Sequence, residues 1–214
     1  MTCRRIRGVA GTVLVAAFAF LSASCGDTVR QGQAPAYLVI DNLLGGSGAE
    51  PEEMAHVLES DVITNVKVTV GTDTVWVPTF FEDPGELEAH IEMKDIGTSL
   101  NPNEPSSNNL ITVDRYHVRY VRADGRNTPG VDVPYPFDGA ATGTFGKSSS
   151  SVGFVLVRAQ AKMEAPLLAL QNLGGAHLIS TIAEVTFYGR DQTGNAVSVT
   201  GQISVNFADW GDPQ

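Results

Sequence analysis

Val197, Val199, Gly201, Ile203, Val205 and Phe207 occupy every second position near the C-terminus, and Ser198, Thr200, Gln202, Ser204 and Asn206 fill the gaps. A period of two puts all the apolar side chains on one face of a pleated strand, and no helix can do the same. The preceding stretch HLISTIAEVTFYG has Ile179, Ala183, Val185 and Phe187 in phase. Between them RDQTGN supplies Gly194 and Asn195, which tolerate positive φ. The pattern predicts a long C-terminal hairpin.

The same period recurs upstream. YLVIDNL is a short apolar run ended by GGSG. VITNVKVTV alternates at Val66, Val68 and Val70 and meets TVWV after a turn at Gly71–Asp73. After DPGE, Leu87, Ala89, Ile91 and Met93 share one face, and Glu88, His90, Glu92 and Lys94 the other. Tyr116, Val118 and Tyr120 then oppose Arg115, His117 and Arg119. Antiparallel pairing of these last two strands would set Glu88 and Glu92 against Arg115 and Arg119. SVGFVLV (151–157) is apolar on both faces, as expected of a central strand. Two segments suit helices: APLLALQNLGG, with Pro166 near its start and Gly174 past its end, and PEEMAHVLES, for which an irregular strand is the alternative.

Short strands, turns rich in Gly, Pro and Asp, and no strand–helix repeat predict an all-β, antiparallel sandwich with one or two short connecting helices. The order strand, short crossover, strand, tight hairpin, strand in the C-terminal half resembles the end of an immunoglobulin-like β-sandwich. The resemblance is one of architecture, since that family's cysteine pair and buried tryptophan are lacking. Residues 37–214 are expected to form a single elaborated sandwich, with a split near 98–109 as the alternative.

The N-terminus is of another kind. Arg4, Arg5 and Arg7 precede Val9–Leu21, an apolar run of 13 residues, too short for the roughly 20 that a membrane-spanning helix needs. Small residues Ser22, Ala23 and Ser24 lead to Cys25, one of two cysteines. A basic start, a short apolar core and small residues make a signal peptide, here 1–24. Cys25 at its end resembles the lipobox of bacterial lipoproteins. That resemblance implies acylation of the Cys25 thiol, residues 25–36 as a flexible tether, and anchoring to the outer membrane; ordinary cleavage after Ser24 would give a secreted protein instead. RADGRNTPGVDVPYPFDG is similar to stretches in uncharacterised bacterial lipoproteins, which bring no function with them.

The chain carries 24 acidic and 14 basic residues, a net charge of −10, and three of the basic ones lie in the signal segment. Such a surface repels nucleic acid and anionic lipid, so membrane contact would come through the acyl chains. His56, His90, His117 and His177 show no metal-ligand spacing. GGSGA lacks the last glycine of a nucleophile elbow and is expected to be a flexible connection. The most distinctive loop is 122–139, where Asp124, Asp132 and Asp138 flank Tyr135 and Phe137 among three prolines. Loops on a rigid β scaffold often carry function; this one would offer aromatic anchors to a partner. Its carboxylates are where Ca²⁺ would bind, although no D-x-D-x-D-G spacing is present and no cofactor is expected. The expected function is therefore a non-catalytic, lipid-anchored envelope module with a binding or structural role and an envelope protein partner. The alternatives are a ligand-binding accessory of an envelope transport system and a carboxylate-dependent hydrolase.

Overall fold

The computed structural model describes residues 32–211. Each alternating segment forms a strand. The strands are β1 (Ala36–Gly45), β2 (Val57–Asp61), β3 (Thr64–Val70), β4 (Asp73–Thr79), β5 (Asp83–Met93), β6 (Gly97–Thr98), β7 (Asn101–Pro102), β8 (Ile111–Val121), β9 (Phe137–Gly139), β10 (Gly143–Phe145), β11 (Ser150–Val157), β12 (Ile179–Asp191) and β13 (Ala196–Ala208). One sheet has the order β1-β5-β11. The other runs β10-β8-β12-β13-β2, with β9 also on β8. β3 and β4 pair only with each other, as do β6 and β7. The result is an all-β sandwich.

The alternation explains which side chains meet between the sheets. Leu87, Ala89, Ile91 and Met93 of β5 are buried, as are Tyr116, Val118 and Tyr120 of β8 and Ala183, Val185 and Phe187 of β12. The C-terminal hairpin forms in the expected register, with Ile179 opposite Phe207 and Val185 opposite Gly201. Of its alternating residues, Ile203, Val205 and Phe207 are fully buried, while Val197 and Val199 pack against the core from its margin. Two tyrosines on β8 bridge the sheets. Tyr120 Oη donates to the carbonyl of Leu156 at 2.7 Å, and Tyr116 Oη accepts from the amide of Val155 at 3.1 Å. Burial pushes both phenols above their ordinary pKa, so they stay neutral and available for these bonds.

Three expectations need correction. β5 and β8 lie in different sheets, so the charge ladder between them does not exist. Arg119 pairs instead with Glu184 of β12, and Glu88 accepts from Asn42 of β1 at 2.5 Å. The connection at 94–110 is long enough to cross from one sheet to the other, and the chain takes that route. β11 is an edge strand of its three-stranded sheet rather than a central one, and the Tyr116 and Tyr120 hydroxyls of β8 bond its Val155 amide and Leu156 carbonyl in place of a further strand. The segment 166–174 forms only a 3₁₀ turn at Leu167–Leu170, too short for a nucleated α-helix, and the one α-helical turn, α1 (Ala159–Lys162), lies just before it. Of the two readings of 51–60, the irregular strand is the one that forms: Ala55 bridges Gly45, and β2 follows, paired parallel with β13. No helix among the described residues is long and apolar enough to cross a membrane.

Candidate functional site

The loop 122–139 spends its charges on itself. Asp124 accepts from the guanidinium forks of both Arg122 and Arg126 and from the Arg126 amide. Those bonds hold its carboxyl far below the usual carboxylate range. Asp132 accepts from the Thr128 amide at 3.2 Å, and Asp138 meets His117 Nδ1 at 3.2 Å. Phe137 is buried, with the Arg158 guanidinium 4.5 Å from its ring centre. Tyr135 stays half exposed. The five residues singled out in the sequence therefore turn to separate neighbours. Among the described residues no three His, Cys, Asp or Glu side chains are grouped to hold a metal ion. Cys25 lies outside the described residues.

A serine, an aspartate and a histidine do converge on the outer side of the smaller sheet. Ser149 Oγ donates to Asp41 Oδ2, and His90 Nδ1 contacts Asp41 Oδ1, both at 2.7 Å. The hydroxyl bond from Ser149, followed by that of His90, holds the Asp41 carboxyl below its ordinary value. Here the carboxylate is the middle member. In a catalytic triad the imidazole stands between serine and acid and takes the hydroxyl proton; this hydroxyl points to the acid.

The longer of the two ribbons that join neither large sheet is β3–β4. Val66 pairs with Val77 and Val68 with Val75, so these four side chains share a face with Val70. Val68, Val70, Val75 and Val77 are exposed. The opposite face carries Lys67 beside Trp76, the ammonium 5.9 Å from the ring centre and Trp76 53% exposed. Alternation had marked these residues as strands. It carries no information about whether the apolar face meets a core or the solvent.

Buried polar groups clamp the ribbon where it leaves and re-enters the sandwich. At the exit, Asp61 accepts from Thr64 Oγ1 at 2.6 Å and from the Trp210 amide at 3.0 Å. At the return, Asp83 is fully buried and receives Lys162 Nζ at 2.7 Å, Ser60 Oγ at 2.5 Å and the Gly48 amide at 2.8 Å. Burial pushes both carboxyls above their ordinary pKa, and these donors pull them part of the way back. The Gly48 bond, with one from the Gly46 amide to the Pro84 carbonyl at 3.0 Å, pins the GGSGA segment. That segment is thus a fixed wall, not the flexible connection its glycines suggested. It borders an open cleft of about 550 Å³ lined by Glu50, Glu53, Glu59, Asp61 and Trp210. Nothing in the sequence around Lys162 or Asp83 marks them as partners; they are 79 residues apart.

The chain matches no known family model, no curated protein and no solved structure. Its function has to be read from this geometry alone.

Proposed function

We propose that the protein is a non-catalytic binding module of the bacterial cell envelope, anchored by lipid at Cys25, that seats the β3–β4 ribbon in an apolar groove of an envelope protein. The observation that supports this reading is the exposed valine face, charged only by Asp73 at its turn end, on a chain of net charge −10. An exposed apolar surface held on a rigid root is a contact surface in waiting.

The ribbon's own chemistry narrows its occupant. A bilayer is a poor fit, because both outer edges of a two-stranded ribbon expose peptide groups that hydrocarbon cannot satisfy. Pairing edge to edge with another strand is opposed by Lys67 at the middle of β3 and by Pro78, which has no N–H, near the end of β4. Face-to-face stacking of two copies covers too little. Seven residues at about 3.3 Å each and two strands about 10 Å across make a face of roughly 230 Å² on each copy, far short of the ~1,200 Å² a stable interface buries in total. A groove that encloses both faces buries the valines and Trp76 together, and tryptophan is the residue type most enriched at interface centres.

The test is site-specific photo-crosslinking in cells making the full-length chain. A photoreactive residue in place of Val75 should yield one discrete adduct with another envelope protein. The adduct should vanish with Val68→Asp, whose melting temperature should match that of the wild type since the site is exposed. A probe at exposed Glu52 should not yield it. Equal adducts at both positions, an adduct of twice the chain's mass, or crosslinks to lipid alone would overturn the proposal.

A further inference from the structure

The outer face of the six-stranded sheet holds a shallow hollow of about 320 Å³ around Arg115, Tyr188, Arg190 and Ser198. Tyr188 stands opposite Arg115 of β8 on one side and Ser198 of β13 on the other. Arg190, two residues on, points to the same face. The register slips between Tyr188 and Gly189, so that Asp114 has no partner on β12 and both Asp114 and Arg115 are exposed. Bulges of this kind re-aim side chains. Gly189 makes this one feasible: a Cβ there would lie 2.4 Å from the Thr112 carbonyl oxygen.

Half of the lysines and arginines of the described residues are paired with acids, and the arginines of the hollow are not. Arg119, Arg122, Arg126, Lys147 and Lys162 each hold a carboxylate. Arg115 has its guanidinium over the Tyr188 ring at 4.3 Å and no acidic partner, and Arg190 has no ion-pair or hydrogen-bond partner among the described residues. On a chain of net charge −10, a hollow lined by two guanidinium groups without acidic partners and one carboxylate, Asp114, is a local reversal of charge. Stacking on Tyr188 also fixes one fork in advance.

We infer that this hollow binds an acidic sugar: a hydroxylated ring bearing one carboxylate or phosphate group. The two guanidinium forks match the oxyanion. The Ser198 and Tyr188 hydroxyls can donate to ring or hydroxyl oxygens, and the Asp114 carboxylate accepts from a sugar hydroxyl while repelling a bare, highly charged anion. The volume lies at the small end of ligand pockets, as a monosaccharide requires. The inference is independent of the ribbon, which lies in a separate sheet.

Calorimetric titration of the full-length protein tests it, with glucuronate, glucose 6-phosphate, glucose and inorganic phosphate as probes. At least one acidic sugar should bind at least tenfold more tightly than glucose and inorganic phosphate. Preference for glucuronate would assign the carboxylate, and preference for glucose 6-phosphate the phosphate. Arg190→Gln should weaken binding at least tenfold, and so should Arg115→Gln. Arg190 supports nothing else in the fold, so its variant stays folded and keeps the test decisive. Absence of binding by both acidic sugars, equal binding of inorganic phosphate, or unchanged affinity in Arg190→Gln would overturn the inference.

Discussion

Lys162 is only 1% exposed and Asp83 not at all. Removing two charges from water costs several kcal/mol each, and their mutual attraction repays this only with good geometry and further hydrogen bonds. Asp83 has both, through Lys162, Ser60 and Gly48. The trio joins α1, β2, β5 and the 46–50 segment, so it defines one arrangement at the root of the ribbon. Deleting one partner leaves the other charge buried and alone. Lys162→Met should therefore cost about 3–5 kcal/mol at neutral pH, measured by urea unfolding. The double variant with Asp83→Asn should be more stable than Lys162→Met alone, since the amide oxygen can still accept from the Gly48 amide and the amide nitrogen can donate to Ser60 Oγ, without a buried charge. The deficit of Lys162→Met should also shrink as pH falls, because the Asp83 carboxyl, already raised by burial, takes up a proton. Equal stability of single and double variants would mean that the ion pair is not the source of the cost.

At the scale of elements, hairpins are set by their turns, and the β12–β13 hairpin closes on Asp191. Its carboxylate accepts from the Thr193 amide and hydroxyl and from the Asn195 amide and side chain, all within 2.8–2.9 Å. Gly194 takes the positive φ of 89° that the turn requires. Burial raises the Asp191 carboxyl, but the bonds from Asn195 and Thr193 outweigh it and leave the pKa below 3.8. A carboxylate held lower in the folded chain than in the unfolded one adds stability that is full above the unfolded value. That stability is lost as pH falls through the folded value. Asp191→Asn should thus lower stability by about 1–3 kcal/mol at neutral pH, and the gap to wild type should narrow below pH 3.8. A gap independent of pH would show that shape, not charge, closes the turn. The turn was legible in RDQTGN because its residues are neighbours in sequence. The ribbon, by contrast, was legible only as two strands.

The whole molecule joins a strongly acidic surface to a β-sandwich, and its proposed attachment rests on residues before the described ones. If Cys25 carries the lipid, the full-length protein should pellet with membranes and label with a fatty-acid probe. Cys25→Ser should abolish the label and leave an uncleaved precursor or a soluble form. Washing membranes with high salt should release none of the wild type, because acyl chains, unlike surface charges, are not screened. Release by salt, or equal labelling of both proteins, would remove the lipid from the account. The 122–139 loop shows the same separation of scales. Its acidic residues cluster in sequence, yet each finds its own neighbour once folded: Asp124 its two arginines, Asp132 a backbone amide and Asp138 the ring of His117.

Local periodicity alone determined that the chain is all-β, which residues face inward on β5, β8 and β12, and where the last hairpin turns. Each of these depends on residues a few positions apart, and the pleat of a strand imposes its period wherever the strand comes to lie. Only the tertiary structure decided the rest: that β5 and β8 belong to different sheets, that β11 is an edge, that Asp83 meets Lys162, and that Arg115 and Arg190 share a hollow. It also decided that the valines of β3 and β4 face solvent. A period of two makes one apolar face, but the pattern is the same whether a second sheet covers that face, a partner does, or nothing does.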